Sequence, residues 1–439
     1  MKPLFSVLLL LLAAATLHAQ PASVASAMPS KLTIPPEAQP SASFDVDAAT
    51  KAYLAEMPAE ARARSDAYFE GGYWLQLWDF LYGAAIALLL LFTRWSARMR
   101  DLAERVIPST GWNAKTWQTA LYWIQYLVVI TILGFPLAVY EGYFREHKYG
   151  LATQTMGPWL LDQLKILGLG LLGGAIITMI LFLVVRTLPR TWWLWGALVT
   201  FAFAVFVVMI VPVYILPMFN KISRLDDPAL TQRILRLARA NGIPARDVYT
   251  MDASKQTTRM SANVSGFGQT MRITLNDNLL RRGSPEEIEA VMGHEMGHYV
   301  LDHIYNGLFF IGVLIVVWFS ALYFTLQWAL ARWGERWQIR GLSDPAVLPL
   351  VLLVTSIFFF VLTPIVNTQT RTQEAEADMY GINASRQPDG FAQAAIHLGE
   401  YRKMDPGPVE EWIFYDHPSG RNRIHAAMQW KKENLGLFR

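Results

Sequence analysis

The chain of 439 residues contains no cysteine. That absence excludes a disulfide framework and every thiolate metal site, so any bound metal must be held by histidine and carboxylates. Charge is also scarce. Only 17% of residues are charged against 53% hydrophobic, and mean hydropathy is positive. A soluble protein of this length is less apolar. The net charge of +3 is too small to argue for a nucleic-acid partner. In their place stand long apolar runs and 16 tryptophans, many flanking those runs, as at membrane interfaces.

Residues 1–19 pair one lysine with an apolar run from Leu4 to Leu17. That is the shape of a signal peptide, or of a first membrane helix that is retained. Residues 20–72 form a polar Ala-, Pro- and Ser-rich segment, with helix expected near 45–70. Six apolar stretches follow, at about 73–93, 117–140, 165–185, 192–215, 305–328 and 347–366, each near the roughly 20 residues a bilayer requires. Four lie in 73–215 and two in 305–366. Gly168, Gly170, Gly173 and Gly174 give the third a small-residue face for close helix packing.

Two polar regions remain, 216–304 and 367–439. The first holds a helix-like stretch, Leu230–Asn241, and two strand-like ones, Asp247–Asp252 and Met271–Leu275, with Gly266 and Gly268 marking a turn. Ser284-Pro-Glu-Glu opens a further helix, with serine as cap and proline at its first position. This helix carries His294-Glu-Met-Gly-His298 and is expected to end at His303. Four-residue spacing stacks both imidazoles on one helix face, within reach of one ion. Glu295 can face a metal-bound water, whose pKa zinc lowers towards about 7. The bland alternative is a pair of surface histidines on an amphipathic helix.

A catalytic zinc keeps three protein ligands and one open position. The third is sought in Asn367–Asp378, directly after the last apolar stretch. Glu374 and Asp378 share a helix face, so Glu374 can bind metal while Asp378 fixes a histidine tautomer. Arg371 lies on nearly the same face and can pair with either carboxylate. Glu376 is expected to point into solvent, as the next ligand candidate. A juxtamembrane helix with ordinary surface charges is the competing reading. His417-Pro418 can bring an imidazole to an oxyanion, with Arg423 orienting its loop, or can be plain surface. His303 is either a support for the ligands or an interfacial residue. His147, His397 and His425 read as structural or surface.

In these segments the chain resembles the integral-membrane zinc metalloproteases of the CAAX prenyl protease 1 family. Gly134–Tyr140, Glu146–Gly150, Pro217–Lys221, Val248–Lys255, Gly266–Asp277, His294–His303, Arg371–Asp378 and His417 with Arg423 carry the likeness, in order. The resemblance implies a mainly α, polytopic membrane protein, with a ring of about seven helices around a water-filled chamber and a small α+β zincin-like domain. It implies one zinc ion on His294, His298 and Glu374, Glu295 as general base, Asp378 behind the ligands and His417 on the substrate carbonyl. Ser261-Ala262 stands where the family carries Asn-Ala on the strand that pairs with substrate.

Charge gives the membrane side. Loops 94–116, 186–191 and 329–346 hold ten basic residues, which marks them as cytoplasmic. The site then faces the periplasm of a bacterial inner membrane, whereas the family's eukaryotic members face the cytosol. The function expected is a monomeric endopeptidase acting on peptide or protein substrates, lipidated or not, among membrane lipids. The competing functions are a quality-control protease with no prenyl requirement and a non-catalytic scaffold with structural zinc.

Overall fold

A computed structural model describes residues 31–108, 113–265 and 271–438. The signal-like residues 1–19 and the Gly266/Gly268 turn lie outside the described residues. In chain order the main helices are α1 (Val46–Ala55), α2 (Ala59–Phe92), α3 (Trp95–Val106), α4 (Ala114–Val139), α5 (Met156–Thr187), α6 (Trp192–Ile210), α7 (Pro228–Ala240), α8 (Asp277–Arg282), α9 (Pro285–Val300), α10 (His303–Trp337), α11 (Leu348–Ser385), α12 (Pro388–Leu398), α13 (Pro408–Phe414) and α14 (Gly420–Glu433). The strands are β1 (Ile222–Arg224), β2 (Val248–Met251), β3 (Ala262–Ser265) and β4 (Arg272–Asn276).

Among the described residues six helices are long and apolar enough to cross a membrane, and all six expected stretches fall on them. They run 28 to 41 residues, well beyond the roughly 20 that hydrocarbon requires. The excess continues these helices past the apolar stretches. Residues 367–385 continue α11 without a break. Trp123 on α4 fits against Gly170 and Gly174 of α5, donating Nε1–H to Gly170 O at 3.1 Å, so part of the expected glycine face is used as anticipated.

At one end of the bundle the three basic loops meet. Arg100 Nη1 lies 2.5 Å from Asp344 Oδ2, Arg340 Nη1 lies 2.6 Å from Glu104 Oε1, and Arg186 donates to Thr119 Oγ1 at 2.6 Å. At the other end three separated stretches build one α+β unit. Phe44, Val46 and Tyr53 from the N-terminal segment share a core with Ile382, Phe391, Ile396 and Met428. Buried Lys431 ties them, with Nζ donating to Asp389 Oδ2 at 2.6 Å and Ala38 O at 2.7 Å. Residues 31–61 are thus a folded part of this unit.

The sheet has the order β1-β2-β4-β3. β1 and β3 pair antiparallel with their neighbours and β2 pairs parallel with β4. Val248, Ile273 and Leu275 are buried against α9 residues Met292 and Met296. β3 is an edge strand.

Candidate active site

The motif helix α9 is fixed locally first. Ser284 Oγ accepts from Glu287 N at 3.2 Å, and Glu287 Oε2 accepts from Ser284 N at 2.6 Å, the expected reciprocal cap. Glu287 Oε1 lies 2.6 Å from His397 Nδ1, which makes His397 structural. His147 Nδ1 lies 2.7 Å from Tyr143 O, also away from the motif. On the far turn of α9 the Nε2 atoms of His294 and His298 are 3.2 Å apart.

That face meets α11 backbone to backbone. A Cβ on Gly381 would lie 2.5 Å from His294 N, and one on Gly293 would lie 2.7 Å from Gly381 O. Only glycine permits this approach, and it brings Glu374 and Asp378 to the histidines. Glu374 Oε2 is 3.2 Å from His294 Nε2, and Oε1 is 3.4 Å from His298 Nε2. The three donor atoms lie within 4.8 Å of one another. A tetrahedral ion with ligands at about 2.0–2.1 Å spaces them about 3.3 Å apart, so the separations suit a small cation. The donor set suits it too: Glu374 is buried, and its Oε2 faces the Nε2 atoms of His294 and His417, each at 3.2 Å.

Both histidines of the cluster are held from behind. Asp378 Oδ1 lies 2.7 Å from His294 Nδ1, which leaves Nε2 with its lone pair towards the site. Arg423 grips Asp378 through two bonds, Nε to Oδ2 at 2.9 Å and Nη2 to Oδ1 at 2.6 Å. Arg423 therefore orients Asp378, and not the His417 loop as expected. Burial opposes charge on His294, but Asp378 and Glu374 outweigh it and push its pKa up to about 9, the mark of a site suited to a cation.

His303 does not end the motif helix. α9 stops at Val300, Asp302 takes a left-handed conformation with φ of 57°, and His303 opens α10. The turn folds His303 back, with Nδ1 2.9 Å from His298 Nδ1 and Nε2 3.0 Å from Glu376 Oε2. Glu376 is largely exposed as expected, yet it anchors this chain. With His298 Nε2 turned to the site, protons on His298 Nδ1 and His303 Nε2 satisfy every bond in it.

Arg371 pairs with neither carboxylate. It donates to the carbonyls of Glu411 (3.0 Å) and Tyr415 and to Thr368 Oγ1 (3.1 Å). It thereby holds the loop that delivers His417, whose Nε2 is 3.2 Å from Glu374 Oε2. Asp416 accepts from His417 Nδ1 at 2.8 Å. His425 is remote, near Asp47.

Glu295 lines a cleft with His294, Glu374 and His417, and burial pushes its carboxyl above the usual glutamate range. Met260, Ser261 and Ala262 line the same cleft. Asn276 N donates to Ser261 O at 2.9 Å, and Asn276 Oδ1 accepts from Ser261 N at 3.1 Å. Ser261 thus spends its main chain on β4. By antiparallel alternation the N–H and C=O of Ala262 face the open edge.

Sequence reasoning missed Gly381, Asp416 and Asn276. Gly381 was detectable: it follows Glu374 by seven residues and Asp378 by three, on the ligand face of one helix.

A bundle of membrane-length helices fused to an α+β unit with an H-E-x-x-H helix defines a class, the multi-pass membrane metalloendopeptidases. Residues 224–431 match the profile of peptidase family M48, and residues 46–221 match the CAAX prenyl protease N-terminal domain of five membrane helices. The chain belongs to peptidase family M48. It is 31% identical over 349 residues to "Uncharacterized metalloprotease YhfN" of Bacillus subtilis, covering 79% of this chain and 80% of that one. It is 29% identical to "CAAX prenyl protease 1" of Saccharomyces cerevisiae, covering 69% and 71%. The crystal structure of S. mikatae Ste24p superposes with a TM-score of 0.72 at 23% identity, over 85% of this chain and 89% of that one.

Proposed function

We propose that the chain is a zinc-dependent membrane endopeptidase of the CAAX prenyl protease type. The observation that carries this reading is the convergence of His294, His298 and Glu374 on one point beside Glu295. His294, His298 and Glu374 would hold the ion. When bound, Zn2+ supplies Lewis acidity and lowers the pKa of water at its open position. Glu295 takes the proton from the attacking water and returns it to the leaving amine. His417, oriented by Asp416 through Nδ1, presents Nε2–H to the developing oxyanion. Ala262 aligns the peptide by strand pairing, and the Ser261 side chain lies beside it. Asp378, Arg423, His303 and Arg371 keep these groups in place.

The substrate is a peptide or protein segment, and the monomer works among membrane lipids. Residues 73–215 and 305–366 form its membrane part, and 216–304 and 367–439 its protease part. The basic loops favour a bacterial inner membrane with the site facing the periplasm. Ser261 in place of the family's Asn favours a second reading, a quality-control protease with no prenyl requirement.

The deciding experiment is cleavage of one prenylated CAAX peptide and its unlipidated copy by wild type and Glu295→Gln, with zinc measured on both proteins. Expected are equal zinc and cleavage by wild type alone, with the peptide ratio separating the two readings. Zinc without cleavage of either peptide would favour a scaffold.

A further inference from the structure

Two arginines line the cleft, Arg402 and Arg423. Arg423 is committed to Asp378. The cations around it are equally committed: Arg282 to Glu400 at 2.5 Å, Arg259 to Glu146 at 2.7 Å, and Lys403 to Glu70 at 2.7 Å. Arg402 differs. Among the described residues its guanidinium has no carboxylate or carbonyl within bonding distance, and its only contact of note is the Tyr401 ring, 5.7 Å from Cζ to centroid. Asp416, the nearby acid, bonds His417 instead.

The backbone under Arg402 is firmly held. Ser65 Oγ donates to Gly399 O at 2.5 Å and Arg402 O at 2.9 Å, and the Arg282–Glu400 pair clamps the same turn. The Arg402 charge acts on Asp416 together with His417, but from a distance that leaves its own N–H donors without an acceptor among the described residues. Carried on a firmly held backbone beside a peptide-sized cleft, its planar fork can match a carboxylate through two bonds.

We infer that Arg402 is a specificity-determining residue that receives a carboxylate of the bound peptide. This inference rests on the proposed peptide-cleaving function. The carboxylate comes from a free C-terminus near the scissile bond or from an acidic side chain, and peptide chemistry separates these sources.

The test uses full-length protein in detergent and three peptides of one sequence: free acid, C-terminal amide, and amide with one internal glutamate near the cleaved bond. Wild type is expected to prefer the free acid to the plain amide about tenfold in kcat/KM, through KM, as for one ion pair. Glutamate restoring the amide would assign the side-chain source. Arg402→Gln should collapse the acid-to-amide ratio to near one, and Arg402→Lys should keep part of it. Equal use of all three peptides by wild type, or an unchanged ratio in Arg402→Gln, overturns the inference. Binding of the labelled peptides to Glu295→Gln, with and without Arg402→Gln, reads the same ratio without turnover. It therefore decides the inference even if the proposed chemistry fails.

Discussion

The Asp378–Arg423 pair shows how a buried charge is made useful. Both side chains are nearly inaccessible, at 5% and 8% exposure, so each depends on the other. Arg423→Ala leaves Asp378 buried without its counter-ion and should cost about 3–5 kcal/mol of stability, read as a lowered thermal midpoint. Asp378→Asn keeps the shape but weakens the grip on His294 Nδ1. Its metal affinity should fall about 10–100-fold in a chelator competition. At this scale His294, Glu295 and His298 were legible, because one helix fixes their spacing. Glu374 and Asp378 were legible for the same reason. Arg371 and Arg423 were not, because spacing gives a face and not the partner across it. Arg371 has carboxylates one and two turns away on its own helix, yet it bonds to carbonyls of the His417 loop.

The decisive element contact is the crossing of α9 and α11 at Gly293 and Gly381. A methyl group at residue 381 meets His294 N at 2.5 Å, and backbone cannot rotate away. Gly381→Ala should force the helices apart, lowering both metal content and thermal midpoint, whereas Gly157→Ala, with open space around it, should change neither. Elution metal analysis beside a melting curve checks both. α13 supplies a pH prediction. Burial alone would raise the Glu410 carboxyl, but Lys403, Tyr73 and the Gly407 N–H hold it below the usual value, which is about 4.3. A carboxylate lowered in the folded state stabilises fully above that value and loses its contribution as pH falls through the folded pKa. The thermal midpoint should therefore drop below about pH 4.3, and Glu410→Gln should flatten that drop. A midpoint independent of pH there would contradict the assignment. α13 carried a quieter form of the signal, Pro408 at its first position and Glu410 at its third behind Gly407, whereas α9 announced itself through Ser284, Pro285 and Glu287.

The whole molecule places the site a fixed distance from the basic loops. α11 runs 26 residues from Leu348 to Glu374, or about 39 Å at 1.5 Å per residue, which exceeds the roughly 30 Å of hydrocarbon. Loops and site thus occupy opposite ends of the bundle. The lack of cysteine makes orientation directly measurable. Arg190→Cys and Lys432→Cys are exposed single thiols on the two ends. In spheroplasts a membrane-impermeant maleimide should label Lys432→Cys at once and Arg190→Cys only after lysis. The reverse order would place the site in the cytoplasm.

By itself the sequence determined the membrane-length helices, the motif helix with its cap, the His294–His298–Glu374 grouping and the grouping of the basic loops. These depend on hydropathy, on spacing within one helix and on residue type, all of which are local. Only the tertiary structure decided that residues 31–61 complete the α+β unit, that His303 and Glu376 support His298, and that among the described residues the Arg402 guanidinium makes no hydrogen bond. Those outcomes depend on contacts between segments far apart in the chain, where packing selects one partner among several of equal chemistry.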